Sequence, residues 1–438
     1  MADALAVTVT GTREALGVVL LSEHLLFDFT CRLHIADSAE LAQLSEAPIT
    51  LHNLAALRAH SRWSTVSLRS NHELLLPELR ALAAIGGPHT VVDGTPRACR
   101  PPGALEQLRE LSQASGVAIV AAASLTEEEA LVACQHAEAE GCEPCELLAN
   151  QLVAQLTHGL PATGGAEPIR AGVLTLGEMP LVPPPRDEAR RATVQALAQA
   201  QRRTGAPLLV PLPGGAGSDA VAALQVLVEC GAESGAIVCL HAQNMLGGRA
   251  AASAALRELL GLGACLCFDG LGDSWCVAGP GPAIGPDAVP APEHEVAAEI
   301  ASLAAAGYGA RLMLSNGLSS RLQLQACGGA GLRHVERCFA PRLLRLGMDE
   351  PAVRATLRNG ERLLRWSLPA AAAPRRTKPW ECSACHRVFE EAANEAEALP
   401  TDRVYYEKFA FRYCGTPCLA AHREAKYQTP FACAPPKV

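Results

Sequence analysis

The chain has 438 residues, 49% hydrophobic and 19% charged, so it can bury a large core and is not a disordered protein. No apolar run approaches the length of a membrane-crossing helix; the longest, Val117 to Ala123, is strand-sized. A net charge of −8 gives no general attraction to nucleic acid or anionic lipid, and the acidic Met1-Ala-Asp-Ala start argues against a signal peptide.

Short β-like runs alternate with longer helical patterns through most of the chain. Strands are predicted over 18–21, 90–93, 117–122, 172–176, 208–212, 237–241, 264–269 and 312–315, each an aliphatic run. Helices are predicted over 73–85, 145–156, 187–204, 220–230, 250–260 and 293–306, with a last one over 341–366 that opens on a proline. Eight strands alternating with helices predict an α/β fold with a parallel sheet, closed as a (β/α)8 TIM-type barrel.

Composition changes late in the sequence. All four lysines (Lys378, Lys408, Lys426 and Lys437) and nine of the seventeen aromatics fall after residue 377. The Pro/Ala-rich stretch 369–379 reads as a linker between a barrel over 1–368 and a small domain over 380–438. Seventeen cysteines, an odd number spread along a large chain, point to reduced thiols in the cytoplasm rather than to disulfides. The Cys142-Glu-Pro-Cys145 pair has no second pair nearby and is a weak metal signal.

Chemistry in such a barrel sits at the C-terminal ends of strands. The polar residues there are Ser22-Glu23-His24, Asp93, Glu178, His241, Asp269 and Ser315-Asn316. Two histidines and a carboxylate from different strands could gather round a metal, whereas any one of them alone reads as a hydrogen-bonded core residue or a helix cap. The glycine-rich run 213–219 lacks the Gly-Lys-Ser/Thr of a nucleotide loop and reads as a strand-to-helix connection.

From about Gly17 to Trp366 the sequence resembles the phosphotriesterase-related proteins of the amidohydrolase superfamily. The carrying stretches are Leu-Ser-Glu-His-Leu (21–25), Gly-Gly-Pro-His-Thr-Val-Val-Asp (86–93), Gly-Val-Leu-Thr-Leu-Gly-Glu (172–178), Gly-Ala-Pro-Leu-Leu-Val-Pro-Leu-Pro-Gly (205–214), Val-Cys-Leu-His (238–241) and Arg-Leu-Met-Leu-Ser-Asn (311–316). The resemblance implies a binuclear zinc-type site built from a His-x-His on strand 1, a bridging carboxylate on strand 4, one histidine each on strands 5 and 6, and an aspartate on strand 8.

Against that pattern His24, Glu178 and His241 remain, while Ser22, Pro211 and Asn316 stand at the other three positions. Glu23 is a poor substitute for the missing histidine, because neighbouring residues on a strand face opposite sides. Asn316 is neutral and cannot serve as the proton acceptor that an aspartate would be. Two readings therefore compete. In one, the barrel is catalytically silent, a structural or interaction protein. In the other, it is a zinc-dependent hydrolase of ester, amide or phosphoester bonds, with one zinc or other divalent metal on His24, Glu178 and His241.

The C-terminal domain carries the sharpest local motif, Cys382-x2-Cys385 followed by Cys414-x3-Cys418. Two such pairs within a short segment suit tetrahedral zinc, with His422, His386 and Cys433 as reserve ligands. Thr416-Pro417 starts a helix that puts Cys418 and His422 on one face. The spacing resembles treble-clef fingers of the MYND and TRASH kind. Tyr405, Tyr406, Phe409, Phe411 and Tyr413 interleave with Arg403, Lys408 and Arg412, but +2 overall is thin for nucleic acid, so a protein partner is the expectation.

Overall fold

The structure, a computed structural model, describes residues 5–28, 47–59, 68, 72–161, 168–177, 181, 187–212, 217–246, 252–272 and 291–366, and towards the C-terminus 377–381, 388–392, 406–408, 411–413, 420 and 422–424. The chain divides into two compact units, Met1–Leu368 and Pro369–Val438.

The first unit opens with a hairpin that the sequence reading did not contain, β1 (Ala6–Thr8) and β2 (Gly11–Arg13). Eight parallel strands follow: β3 (Val18–Glu23), β4 (His89–Asp93), β5 (Ala118–Ala123), β6 (Val173–Thr175), β7 (Leu208–Pro211), β8 (Ile237–Leu240), β9 (Cys265–Phe268) and β10 (Leu312–Leu314). Every predicted strand is present. They form one sheet in sequence order, with β3 and β10 at its edges, and side-chain hydrogen bonds join those edges into a nearly closed barrel.

Both faces of these strands are covered, which is why they read as unbroken aliphatic runs rather than alternating ones. Val19, Leu21, Val92, Val120, Ala122, Val173, Leu209, Val238, Cys265, Cys267 and Met313 form one buried cluster, spaced by two along each strand. Their neighbours Leu20, Val91, Ile119, Leu174, Leu208, Leu266 and Leu312 belong to the larger core beneath the helices. Leu363 and Leu364 join the inner cluster, and the Trp366 indole donates to the Gly172 carbonyl at 2.8 Å, so the end of this unit is stitched to the start of β6.

Helices surround the sheet. Those at His72–Ala83, Pro144–Thr157, Glu188–Thr204, Gly217–Glu229, Ala252–Gly261 and Glu293–Leu303 lie within a few residues of their predicted spans. Ala104–Ser115 and Glu127–Glu140 were not foreseen; the second starts at a capping box made by Thr126 and Glu129. The single helix predicted over 341–366 is instead three, Ala340–Arg345, Glu350–Arg358 and Gly360–Leu364. The cause is Gly347, whose φ of 93° ends the first, and Asp349, whose side chain caps the second. Next to this region Glu293 accepts from the Gly272 N–H (2.6 Å), from His334 Nε2 (2.7 Å) and from Arg342 (2.9 Å). No helix among the described residues is long and apolar enough to cross a membrane.

In the second unit β11 (Thr377–Glu381) pairs antiparallel with β12 (Val388–Ala392), and β13 (Tyr406–Lys408) with β14 (Phe411–Tyr413). Lys378 and Pro379, read from the sequence as the end of the linker, belong to β11. Cys382, Cys385 and His386 fall between the paired residues Glu381 and Val388, and Cys414 directly follows β14. Those four, with Cys418 and Cys433, lie outside the described residues; His422 is described and fully buried.

Candidate active site at the barrel mouth

At the C-terminal end of β3 the register against β4 slips. Leu20 pairs with Val91 and Glu23 with Asp93, so three residues on one strand oppose two on the other. This bulge turns Glu23 to the same side of the sheet as Leu20 and re-aims the residues around it. The Ser22 N–H donates to Ser315 Oγ at 3.0 Å. His24 Nδ1 lies 3.2 Å from Thr95 Oγ1, and its ring packs against Phe27 with centroids 5.2 Å apart.

The Glu23 carboxylate is fully buried and saturated with donors. Oε1 accepts from Ser315 Oγ (2.7 Å), the Asn316 N–H (2.7 Å) and Asn316 Nδ2 (3.3 Å), and Oε2 accepts from the Leu318 N–H (2.6 Å). Burial pushes its pKa up to about 7, against the pull of those hydrogen bonds. Asp93, on the next strand, is likewise internal: it accepts from the Leu25 and Thr95 N–H groups, with the Arg100 guanidinium 3.6 Å away.

On the other side of the mouth His241 and Asp269 end β8 and β9. His241 is the one non-glycine residue at positive φ (59°) among the described residues. Asp269 Oδ1 holds its backbone N–H at 3.1 Å and its Nδ1 at 2.9 Å, and also takes Gln243 Nε2 at 3.0 Å. The Asp269 N–H returns a bond to Gln243 Oε1 at 3.0 Å. Burial by itself would raise the carboxyl and lower the imidazole. The charge and hydrogen bond that each gives the other outweigh it, so Asp269, helped by Ser22 and Gln243, sits below the ordinary carboxylate value and His241 above the ordinary imidazole value. Asp269 is sealed from solvent while the His241 side chain is 27% exposed, so the imidazole is the face this pair shows to the mouth.

The structure thus places His24 and His241 at the ends of β3 and β8, and Glu178 lies outside the described residues. Ser22 and Pro211 supply no metal-ligating side chain. Asn316, the expected stand-in for an aspartate, turns its amide to Glu23 and to the Leu332 carbonyl (3.1 Å). Among the described residues no group of three or more His, Cys, Asp or Glu side chains is arranged to hold a metal ion, and Glu178, the bridging ligand that the resemblance implies, is not among them. Cys145 is buried with the Gln199 amide on its sulfur while Cys142 is exposed. In the glycine-rich run, Gly217 already opens a helix.

The sequence model of the Phosphotriesterase family matches residues 7–364. The chain belongs to the phosphotriesterase family. A second model, the Vms1-associating treble clef domain, matches residues 377–430. Among curated proteins, the N-acetyltaurine hydrolase of Homo sapiens is 25% identical over 341 residues, covering 76% of this chain and 89% of that one. The phosphotriesterase-related protein of Nematostella vectensis is 26% identical over 363 residues, 81% of this chain and 96% of that one. Among solved structures, a resiniferatoxin-binding protein from Rhodobacter sphaeroides superposes with a TM-score of 0.67 at 27% identity, over 82% of this chain and 95% of that one. The phosphotriesterase homology protein of Escherichia coli shares the fold at 17% identity, with a TM-score of 0.56 over 80% of this chain and 100% of that one.

Two features of this phosphotriesterase-family mouth escaped the sequence reading. Asp269 was a polar strand end without a role, although β8 and β9 are adjacent in the sheet and their ends must meet. Glu23 was set aside, and nothing local in the sequence points to donors some 290 residues away.

Proposed function

We propose that this phosphotriesterase-family barrel no longer performs two-metal hydrolysis and serves as a binding or scaffolding unit, joined to a zinc-holding treble clef that docks a protein partner. The observation that carries this reading is the fate of the strand-8 position. Asn316 is a neutral amide whose Nδ2 donates to Glu23 and Leu332, and it cannot take a proton from a nucleophilic water as an aspartate would. Ser22 and Pro211 remove two further ligands. Cys382, Cys385, Cys414 and Cys418 would hold the zinc of the second unit as thiolates, stabilising a segment too small to build much core. Buried free thiols at Cys99, Cys145, Cys239, Cys265 and Cys267 fit a reducing compartment such as the cytoplasm.

The His241–Asp269 pair favours a second reading, a zinc-dependent hydrolase with a reduced site on His24, Glu178 and His241. The N-acetyltaurine hydrolases among the relatives point to an N-acyl amide as its substrate. Elemental analysis of the purified full chain separates the two. One zinc per chain, lost in Cys382→Ser and Cys414→Ser, with no turnover of N-acetyltaurine, phosphotriesters or lactones, is the expected result. A second metal lost in His241→Ala, together with zinc-dependent amide hydrolysis, would establish the alternative.

A further inference from the structure

The barrel has a seam. Seven of its strand junctions are parallel backbone ladders, one of them (β3/β4) bulged at its end, whereas β3 and β10 are the two edges of the sheet. Across that gap the polar groups are satisfied by side chains and by the loop that follows β10. Ser22 N–H reaches Ser315 Oγ, which in turn donates to Glu23 Oε1; the Asn316 and Leu318 N–H groups reach the two Glu23 oxygens; and the His24 N–H reaches the Leu318 carbonyl at 2.5 Å.

The loop is held from its other side as well. Gly317 has a φ of 68°, and a Cβ there would lie 1.9 Å from the Asp269 carbonyl oxygen. Residues 315–318 are therefore wedged between Glu23 of the first barrel strand and the end of β9.

We propose that Glu23 is the latch of the barrel: its carboxylate fastens the loop 315–318 across the β3/β10 seam, and that seam opens and shuts as a local unit separate from the rest of the sheet. Only a carboxylate suits the position. Four donors converge on two oxygens, and a carboxylate accepts on both with nothing to donate. Glutamine would turn an NH2 toward the Asn316 or the Leu318 amide and set donor against donor. A side-chain clasp also differs from a ladder in how it fails. A ladder bond is backed by its neighbours along the strand, whereas the four bonds to Glu23 end on one side chain; losing it releases them together and leaves the loop only the Ser22–Ser315 and His24–Leu318 bonds across the seam. The inference stands whether or not the barrel hydrolyses anything.

Amide hydrogen exchange on the full chain tests it, comparing the seam amides of His24, Asn316 and Leu318 with those of Leu174 and Leu176, which bond to Pro207 and Leu209 across the β6/β7 junction (2.8 and 3.1 Å). In the wild-type chain the seam amides should exchange at least tenfold faster than the β6/β7 amides. In Glu23→Gln the seam amides should accelerate at least a further tenfold while Leu174 and Leu176 stay within a factor of two. Ser315→Ala, which removes only the hydroxyl relay, should give the same pattern more weakly, and it provides the reading if Glu23→Gln does not fold. Seam amides as slow as the β6/β7 amides in the wild type, or a rise shared equally by all five in the variants, would overturn the proposal.

Discussion

His241 Nδ1 lies 2.9 Å from Asp269 Oδ1, joining the ends of two adjacent strands through an ion pair of which one member is sealed and the other partly open. The folded pKa of Asp269 is depressed below 3.8, so its share of stability is present above that value and fades as pH falls through the folded one. The folded pKa of His241 is raised above 6.5, so its share is full below that value and fades as pH rises through the folded one. Asp269→Asn should therefore cost most near pH 5, about 1–3 kcal/mol, and less at pH 9. Urea unfolding of both proteins at the two pH values measures the gap; an equal or larger cost at pH 9 would contradict the assignment.

Asn316→Asp looks from the sequence like the repair of a lost metal ligand. The structure predicts the opposite, because the new carboxylate would face the buried Glu23 carboxylate and leave the Leu332 carbonyl without its donor. Destabilisation of about 2–4 kcal/mol is expected, visible as a lowered denaturant midpoint. Adding Ser22→His and Pro211→His should not rescue it, with or without zinc in the buffer.

Gly317→Ala should be among the most damaging glycine substitutions, combining a left-handed φ with a direct collision against the Asp269 carbonyl; a loss of more than about 3 kcal/mol, or failure to fold, is expected. Gly116→Ala shares the positive φ (77°) but meets nothing within 4 Å, and should cost only about 1–2 kcal/mol. Thermal melts of the two variants, side by side, separate collision from backbone preference.

The eight barrel strands were legible because each is buried on both faces and its aliphatic run stands out against Ala- and Arg-rich helices. Glu127–Glu140 was missed because alanines and glutamates spread round it give little contrast between faces, whereas Ala104–Ser115 does carry an apolar face at Leu105, Leu108 and Leu111 that the reading passed over. The break at Gly347 was invisible because leucine and arginine continue on both sides of it, and only the backbone angle shows the turn. At the mouth, the candidate residues could be named from strand ends. Their partners could not, because Glu23 meets residues 315–318 only once the two ends of the sheet come together.

Zinc should matter to residues 369–438 far more than to the barrel, which has a large, mainly aliphatic core of its own. Chelation should remove the near-ultraviolet signal of the C-terminal tyrosines (Tyr405, Tyr406, Tyr413 and Tyr427) and expose protease sites after Arg387 or Arg403, leaving the main thermal transition within a few degrees. Cys414→Ser should do the same without chelator. Collapse of the whole molecule on chelation would mean instead that the two units unfold as one or that the barrel itself depends on a metal.

Glu293 accepts from the Gly272 N–H, and so ties the start of the helix Glu293–Leu303 to the chain just past β9. His334 and Arg342 fix Glu293 in turn. One carboxylate thus gathers three separate parts of the chain, so Glu293→Ala would release Gly272, His334 and Arg342 in a single step.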